Sequence, residues 1–286
     1  MISAADGVGL NLVTHGLRRE RLMFLHGVTR RWQTFRPLLG SLSAQYQTEL
    51  LDFRGHGESE RDAGSYRVID YVGDAVAALR SKAPEPAIVY GHSLGAMVGA
   101  AAAAAEPSLV SALVLEDPPF ETMGSRIGLG GLVEYFRELR KYAGSGPEIA
   151  DLAARLANIP AQTAPDGAVI TLGQVRGAAS LRFTAANLLR LDPRTLDSVV
   201  EGRWLDGYSL EKVASSIKCP VLLVQAGGAS GMLKDEDAER FEKNCRDCTR
   251  VRLGAAGHAI HWEAPQALLG AVLSFLSSVD PRPGRA

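Results

Sequence analysis

A serine set between two glycines, Gly91-His92-Ser93-Leu94-Gly95, can act as a nucleophile if the chain turns sharply there and exposes the hydroxyl. A hydroxyl is a weak nucleophile, so it needs a base to take its proton and donors for the oxyanion that forms. Among six histidines, His258 is the candidate base, because Leu253-Gly254-Ala255-Ala256-Gly257 leads to it from a strand through small residues. A neutral imidazole takes and returns a proton near pH 7. His26-Gly27-Val28 ends another strand, so the amides of Val28 and Leu94 are the expected oxyanion donors. Together these parts would support acyl transfer through a covalent serine intermediate. The pentad alone also fits a glycine-rich turn with a helix-capping serine.

The elements that must position these residues read as alternating strands and helices, the pattern of a parallel sheet. Parallel strands are expected at Arg21–His26, Thr48–Phe53, Ala87–Tyr90, Ala112–Glu116, Val221–Gln225 and Arg250–Leu253. Several are continuous apolar runs, as strands buried on both faces require. Val8–Thr14 would add an antiparallel hairpin at the sheet edge, and Tyr71–Lys82, Leu94–Ala105 and Ala264–Ser277 have helical composition. Ser93 therefore falls between a strand and a helix, where a nucleophile elbow must lie. From Phe120 to Ile217 the alternation stops, and helices broken at Gly144–Pro147, Ile159-Pro160, Ala164–Gly167 and Asp192-Pro193 are expected. A core domain of residues 1–119 and 218–280, an insertion of residues 120–217 and a frayed tail of residues 281–286 follow.

Composition narrows the function further. Lys and Arg number 31 against 32 Asp and Glu, a net charge of −1, so no field recruits nucleic acid or an anionic membrane. No apolar run reaches the roughly 20 residues of a membrane span, and Met1–Asp6 carries no export signal, which points to the cytoplasm. Small-molecule substrates fit best, and monomer and homodimer both stay open. Cys219, Cys245 and Cys248 lack the second pair that a zinc site needs, and Cys245 ends a helix, so free thiols are expected. His258 and His261 have no third ligand nearby, so no metal is expected, nor any cofactor. His92 is expected to pack against the sheet or tune the pocket.

In order, HGV at 26–28, DFRGHGES at 52–59, GHSLGA at 91–96 and GAAGHAIHWEAP at 254–265 resemble the α/β-hydrolase superfamily over nearly the whole chain. The resemblance implies a mostly parallel, eight-stranded sheet flanked by helices, with the site at the strand C-terminal ends and residues 120–217 as a helical cap inserted after the sixth strand. The segment from Asp52 to Ser59 takes a structural role, bracing the loops.

The chain departs from the family in its third catalytic member. The acid usually follows the seventh strand, yet Gln225–Lys234 carries no carboxylate, and Ser230 and Gly231 stand where an Asp would be expected. Asp235, Glu236 and Asp237 open a helix, where they suit its dipole and the solvent. Some relatives place the acid after the sixth strand, which here runs into Glu116-Asp117-Pro118-Pro119. Asp117 is the expected partner of His258 and Glu116 the alternative, since strand alternation turns only one of two neighbours to the site.

A serine at the elbow excludes the branches that use Asp there. Hydrolysis of a carboxylic ester or lactone is the leading expectation. Thioester or C–C hydrolysis, perhydrolysis, cofactor-free dioxygenation and a non-catalytic binding module are the alternatives. His26, His92, Trp32, Phe120, Tyr135, Phe136, Phe183 and Trp204 are the expected pocket residues, favouring an apolar or aromatic substrate, although aromatics in helices more often fill cores. Arg176 and Arg182 could hold a carboxylate or phosphate, with a solvated helix face the commoner role.

Overall fold

The computed structural model describes residues 1–62, 64–82, 84–163 and 168–279. Eleven strands occur among them: β1 (Ile2–Ser3), β2 (Gly9–Leu10), β3 (Leu12–His15), β4 (Arg21–Leu25), β5 (Gln47–Leu51), β6 (Ala87–His92), β7 (Val110–Glu116), β8 (Pro160–Thr163), β9 (Val169–Thr171), β10 (Val221–Ala226) and β11 (Cys248–Leu253). Seven form one sheet in the order β11-β10-β7-β6-β4-β5-β3. Every pairing in it is parallel except that of β3 with β5.

Alternation along these strands sends neighbouring side chains into two layers. Met23, Leu25, Val89, Leu113, Leu115, Val221 and Leu223 join one apolar cluster, with the helices Val72–Arg80 and Leu94–Ala105. Leu22, Phe24, Ile88, Tyr90, Ala112, Val114, Leu222 and Val224 join the other, with the helices Arg36–Leu42 and Pro265–Val279. Small side chains let the helix Leu94–Ala105 lie close to the sheet, and a Cβ at Gly99 would meet Val89 Cγ1 at 3.1 Å.

The sheet has seven strands where eight were expected. At the N-terminus β2 pairs with β1 in a separate two-stranded ribbon, and only β3 reaches the sheet edge. The backbone explains the split. Gly9 donates to Glu60 Oε2 and accepts from the Glu60 amide, while Asn11 donates from its amide to Ser59 Oγ. Those groups serve the loop after β5 and cannot extend the ladder.

Residues 120–217 fold mainly as helices, including Leu132–Arg140, Ile149–Leu156, Ala178–Leu188 and Leu210–Ser216. The purely helical reading is corrected by an antiparallel hairpin of β8 and β9. Val169, Ile170 and Thr171 are β-branched and favour extended backbone. The expected break at Ala164–Gly167 and the tail 281–286 lie outside the described residues. Leu139, Leu152 and Leu188, within residues 120–217, share one cluster with Met97 and Leu115, so this segment packs continuously with the helix Leu94–Ala105 and the sheet. Cys219, Cys245 and Cys248 are free thiols. Among the described residues no helix is long and apolar enough to cross a membrane.

Candidate active site

Ser93 caps the helix Leu94–Ala105 directly after β6, with φ 54° and ψ −117°. Its amide donates to the Glu116 carbonyl at 3.0 Å, fixing the turn to the end of β7. The flanking glycines are required by close approach. A Cβ at Gly91 would lie 2.2 Å from the Gly95 carbonyl oxygen, and one at Gly95 would lie 1.9 Å from that of Leu25. Thr29 (φ 63°), Ser93 and Asp117 (φ 45°) are the non-glycine residues with positive φ among those described, and all three sit at this site. Such backbone strain persists where surrounding structure enforces it, typically at functional positions.

His258 joins the two ends of the expected triad. Its Nε2 lies 3.0 Å from Ser93 Oγ and its Nδ1 lies 2.7 Å from Asp117 Oδ2. The Asp117 carboxylate is fully buried and accepts three backbone amides: Ala226 at 3.1 Å, Leu233 at 3.2 Å and Met232 at 2.8 Å. Its own amide donates to the Val224 carbonyl. The loop that lacks an acid thus supplies the donors that hold one from β7. Asp235 lies elsewhere, exposed and bonded to Gln225 and Arg252.

Glu116, one residue earlier, points to the other face of the sheet. It accepts from Tyr90 Oη at 2.6 Å, from the His261 amide at 2.9 Å and from His261 Nδ1 at 2.8 Å. Burial alone would raise its pKa, but the His261 imidazole and these hydrogen bonds outweigh it, holding the group at about 2. His261 Nε2 is bonded to Thr34 Oγ1. His92 Nε2 donates to the His258 carbonyl at 2.9 Å, and burial pushes its pKa well down, so the ring is neutral. His92, Glu116 and His261 bring potential ligand atoms within 4.8 Å of one another. Hydrogen bonds already occupy Glu116 and both His261 nitrogens, so the cluster is a brace beneath His258.

The oxyanion side is built by β4 meeting the nucleophile turn. A Cβ at Gly27 would stand 3.1 Å from Ser93 Cβ, so the two turns touch. Among the described residues, neither the Val28 nor the Leu94 amide has a protein acceptor.

The expected pocket residues divide. His26 is corrected to a brace: its Nδ1 donates to the Gly27 carbonyl, its Nε2 accepts from the Phe53 amide, and burial lowers its pKa to about 4. Trp32 turns toward His15 and carries the Arg36 guanidinium over its ring, while its amide donates to Asp52 Oδ1. Phe120 is core as well, stacked on Phe241 at 5.6 Å, and so are Phe136 and Trp204, both buried. Large aromatic side chains fill the core at these positions. Tyr135 and Phe183 stay partly exposed, and Phe183 meets Trp262 at 5.6 Å.

The 52–59 segment braces the loops as expected. Asp52 ties Trp32, Asn11 and Glu58 together, and Arg54 binds Asp74 through two nitrogens. Sequence reasoning missed Arg30, whose Nη1 donates to Thr184 Oγ1 at 3.0 Å, and Arg31, whose Nε donates to Asn187 Oδ1 at 2.8 Å. Both cross from the loop after β4 to the helix Ala178–Leu188. Their place two and three residues after Val28 was the available signal.

Comparison with known proteins agrees with this architecture. The chain is 28% identical over 271 residues to the 2-(acetamidomethylene)succinate hydrolase of Mesorhizobium japonicum, covering 90% of this chain and 88% of that protein. It is 26% identical over 256 residues to the 3-hydroxybutyrate-oligomer hydrolase of Cupriavidus necator, covering 83% and 82%. The crystal structure of E-2-(acetamidomethylene)succinate hydrolase superimposes with a TM-score of 0.72 at 25% identity, over 94% of this chain and 96% of that one. The alpha/beta hydrolase fold family model matches residues 20–265, and the chain is therefore a hydrolase belonging to the α/β-hydrolase family.

Proposed function

We propose that this hydrolase cleaves a carboxylic ester or lactone of a small substrate through an acyl-enzyme on Ser93. The observation that carries the reading is His258 bridging Ser93 Oγ and Asp117 Oδ2 at 3.0 and 2.7 Å. With the Nδ1 proton donated to Asp117, Nε2 is free to accept the Ser93 proton as Oγ attacks the substrate carbonyl carbon. The carbonyl oxygen becomes an oxyanion held by the Val28 and Leu94 amides. Collapse expels the alkoxide, which takes the proton from His258. Water, deprotonated by the same Nε2, then attacks the acyl carbon, releasing the acid and restoring Ser93. Asp117 accepts from Nδ1 throughout, stabilising the imidazolium and holding the ring in place.

Residues 120–217 serve as the cap in this reading, because Thr184 and Asn187 bind the loop that carries Val28. A second reading, cleavage of an acylamino compound, is favoured by the 28% identical relative, whose substrate carries an acetamido group. The same triad would run it with an amine as leaving group.

A fluorophosphonate probe tests the central claim. One adduct is expected, on the peptide containing Ser93, and none on Ser93→Ala. Stoichiometric labelling elsewhere, or no labelling of the folded protein, would remove the case for a serine hydrolase.

A further inference from the structure

The two buried arginines among the described residues are matched by carboxylates. Arg21 forms two hydrogen bonds with buried Glu49, and Arg54 does the same with Asp74. Arg30 and Arg176, half-buried, have no carboxylate partner; nor does Arg31, which bonds the neutral Asn187 amide oxygen. Arg30 has one hydrogen bond from its side chain, to the neutral Thr184 hydroxyl, and neither it nor Arg176 forms an ion pair among the described residues. Nη1 of Arg176 is buried with no hydrogen-bond partner. The two cations lie within electrostatic reach of each other and of the Tyr135 phenol. Burial first, and the Arg176 charge second, lower the Arg30 pKa to about 10. A guanidinium still carries its charge there.

Two like charges partly withdrawn from water without a counter-ion are costly, and the fold does nothing to separate them. Their position explains the cost. Arg30 is two residues from Val28, in the turn its amide closes on Gly27, and two residues of chain span at most about 7 Å. Planar guanidinium groups suit a carboxylate, which they bind through paired N–H donors.

We propose that Arg30 and Arg176 bind a carboxylate carried by the substrate itself, so that the acyl compound presented to Ser93 is an acid, such as the half-ester of a short dicarboxylic acid. The proposal rests on the serine-hydrolase reading and replaces the apolar or aromatic substrate with an anionic one. Arg176 was visible in the sequence as a carboxylate candidate. Arg30 completes the pair from a distant loop.

The test separates recognition from turnover. In Ser93→Ala, which binds without reacting, calorimetry compares monomethyl succinate, dimethyl succinate and inorganic phosphate. The acid is expected to bind at least about tenfold tighter than the neutral diester, the scale of charged hydrogen bonds, and phosphate is expected to compete weakly. Arg30→Gln or Arg176→Gln in the same background should remove that preference. Arg30→Gln should also raise the melting temperature, since it deletes an unpaired charge, whereas a purely structural arginine would lower it.

Equal affinity for acid and diester, persistence of the preference in both variants, or phosphate binding as tightly as the acid would overturn the proposal. With active enzyme, 4-nitrophenyl hemisuccinate should exceed 4-nitrophenyl butyrate in kcat/KM, with the ratio falling toward one in either variant. A protein that binds the acid but never labels with fluorophosphonate would sink the hydrolase reading and leave the carboxylate site standing.

Discussion

Asp117 accepts the amide proton of Met232 at 2.8 Å although the two lie 115 positions apart. With the Ala226 and Leu233 amides, it fixes a buried carboxylate against His258 Nδ1. Asp117→Asn would offer an amide that can donate where only acceptors fit, and His258 would adopt the wrong tautomer. We expect kcat for 4-nitrophenyl acetate to fall by about 10³–10⁴-fold, as when a triad acid is neutralised elsewhere. Asp235→Asn, on an exposed helix start, should stay within about twofold of the parent. Retained activity in the first with collapse in the second would move the acid to Asp235.

Ser93 stores backbone strain as well as the nucleophile. At φ 54° it occupies a region that glycine enters at little cost. Ser93→Gly should abolish hydrolysis while raising the unfolding free energy by about 1 kcal/mol, the low end of what such a conformation costs. Urea unfolding of the two proteins measures this difference. A destabilised glycine variant would mean that hydroxyl contacts, and not strain, dominate at this turn.

Gly27 and Gly95 should fail in different ways. A Cβ at Gly95 would lie 1.9 Å from a strand carbonyl oxygen, so Gly95→Ala must displace backbone and should cost about 3 kcal/mol or more. At Gly27 the new methyl would meet His92 Nδ1 at 3.0 Å and Ser93 Cβ at 3.1 Å. That shift is smaller but lies in the site, so Gly27→Ala should lose up to about 10²-fold in kcat with a milder stability loss. Comparing kcat with melting temperature across both variants decides the point.

Acid sensitivity should arise away from the triad. His26 and His56 are buried, and burial pushes their pKa values down to about 4 and about 3. Both rings bind protons near 6.5 once unfolded. Their contribution to stability is therefore complete above that value and is lost as pH falls toward the folded pKa. His92, pushed well down by burial as well, adds a third, so unfolding near pH 5 should take up about three protons, and stability should drop by up to about 4 kcal/mol per pH unit in that window. Glu116, held at about 2, acts in the same direction only below its unfolded value of 4.5. Urea midpoints that stay constant from pH 7 to about 5 would contradict the neutral, buried imidazoles.

Most of the parallel strands were legible as short apolar runs bounded by glycine or polar turns, as at Arg21–Leu25 and Val221–Ala226, whereas Gln47–Leu51 and Cys248–Leu253 mix polar and apolar residues. The meeting of Ser93, His258 and Asp117 could be anticipated because each residue stands at a strand end in the order that the resemblance requires. What stayed hidden depends on contacts between distant segments. The N-terminal ribbon forms because Gly9 and Asn11 bond to Glu60 and Ser59, which no local pattern announces. Phe120 looked available to a ligand until Phe241, more than a hundred residues on, stacked against it. Arg30 was not singled out in the sequence, and only the Thr184 contact shows where it points.

The cradle around Asp117 has a consequence for motion. Its carboxylate accepts the amides of Ala226, Met232 and Leu233, so the loop after β10 is pinned by a residue that it does not contain. Exchange of those three amide hydrogens with solvent deuterium then reports on whether the side chain that His258 leans against is in place. A loop emptied of its own acid has become the gauge of one borrowed from the neighbouring strand.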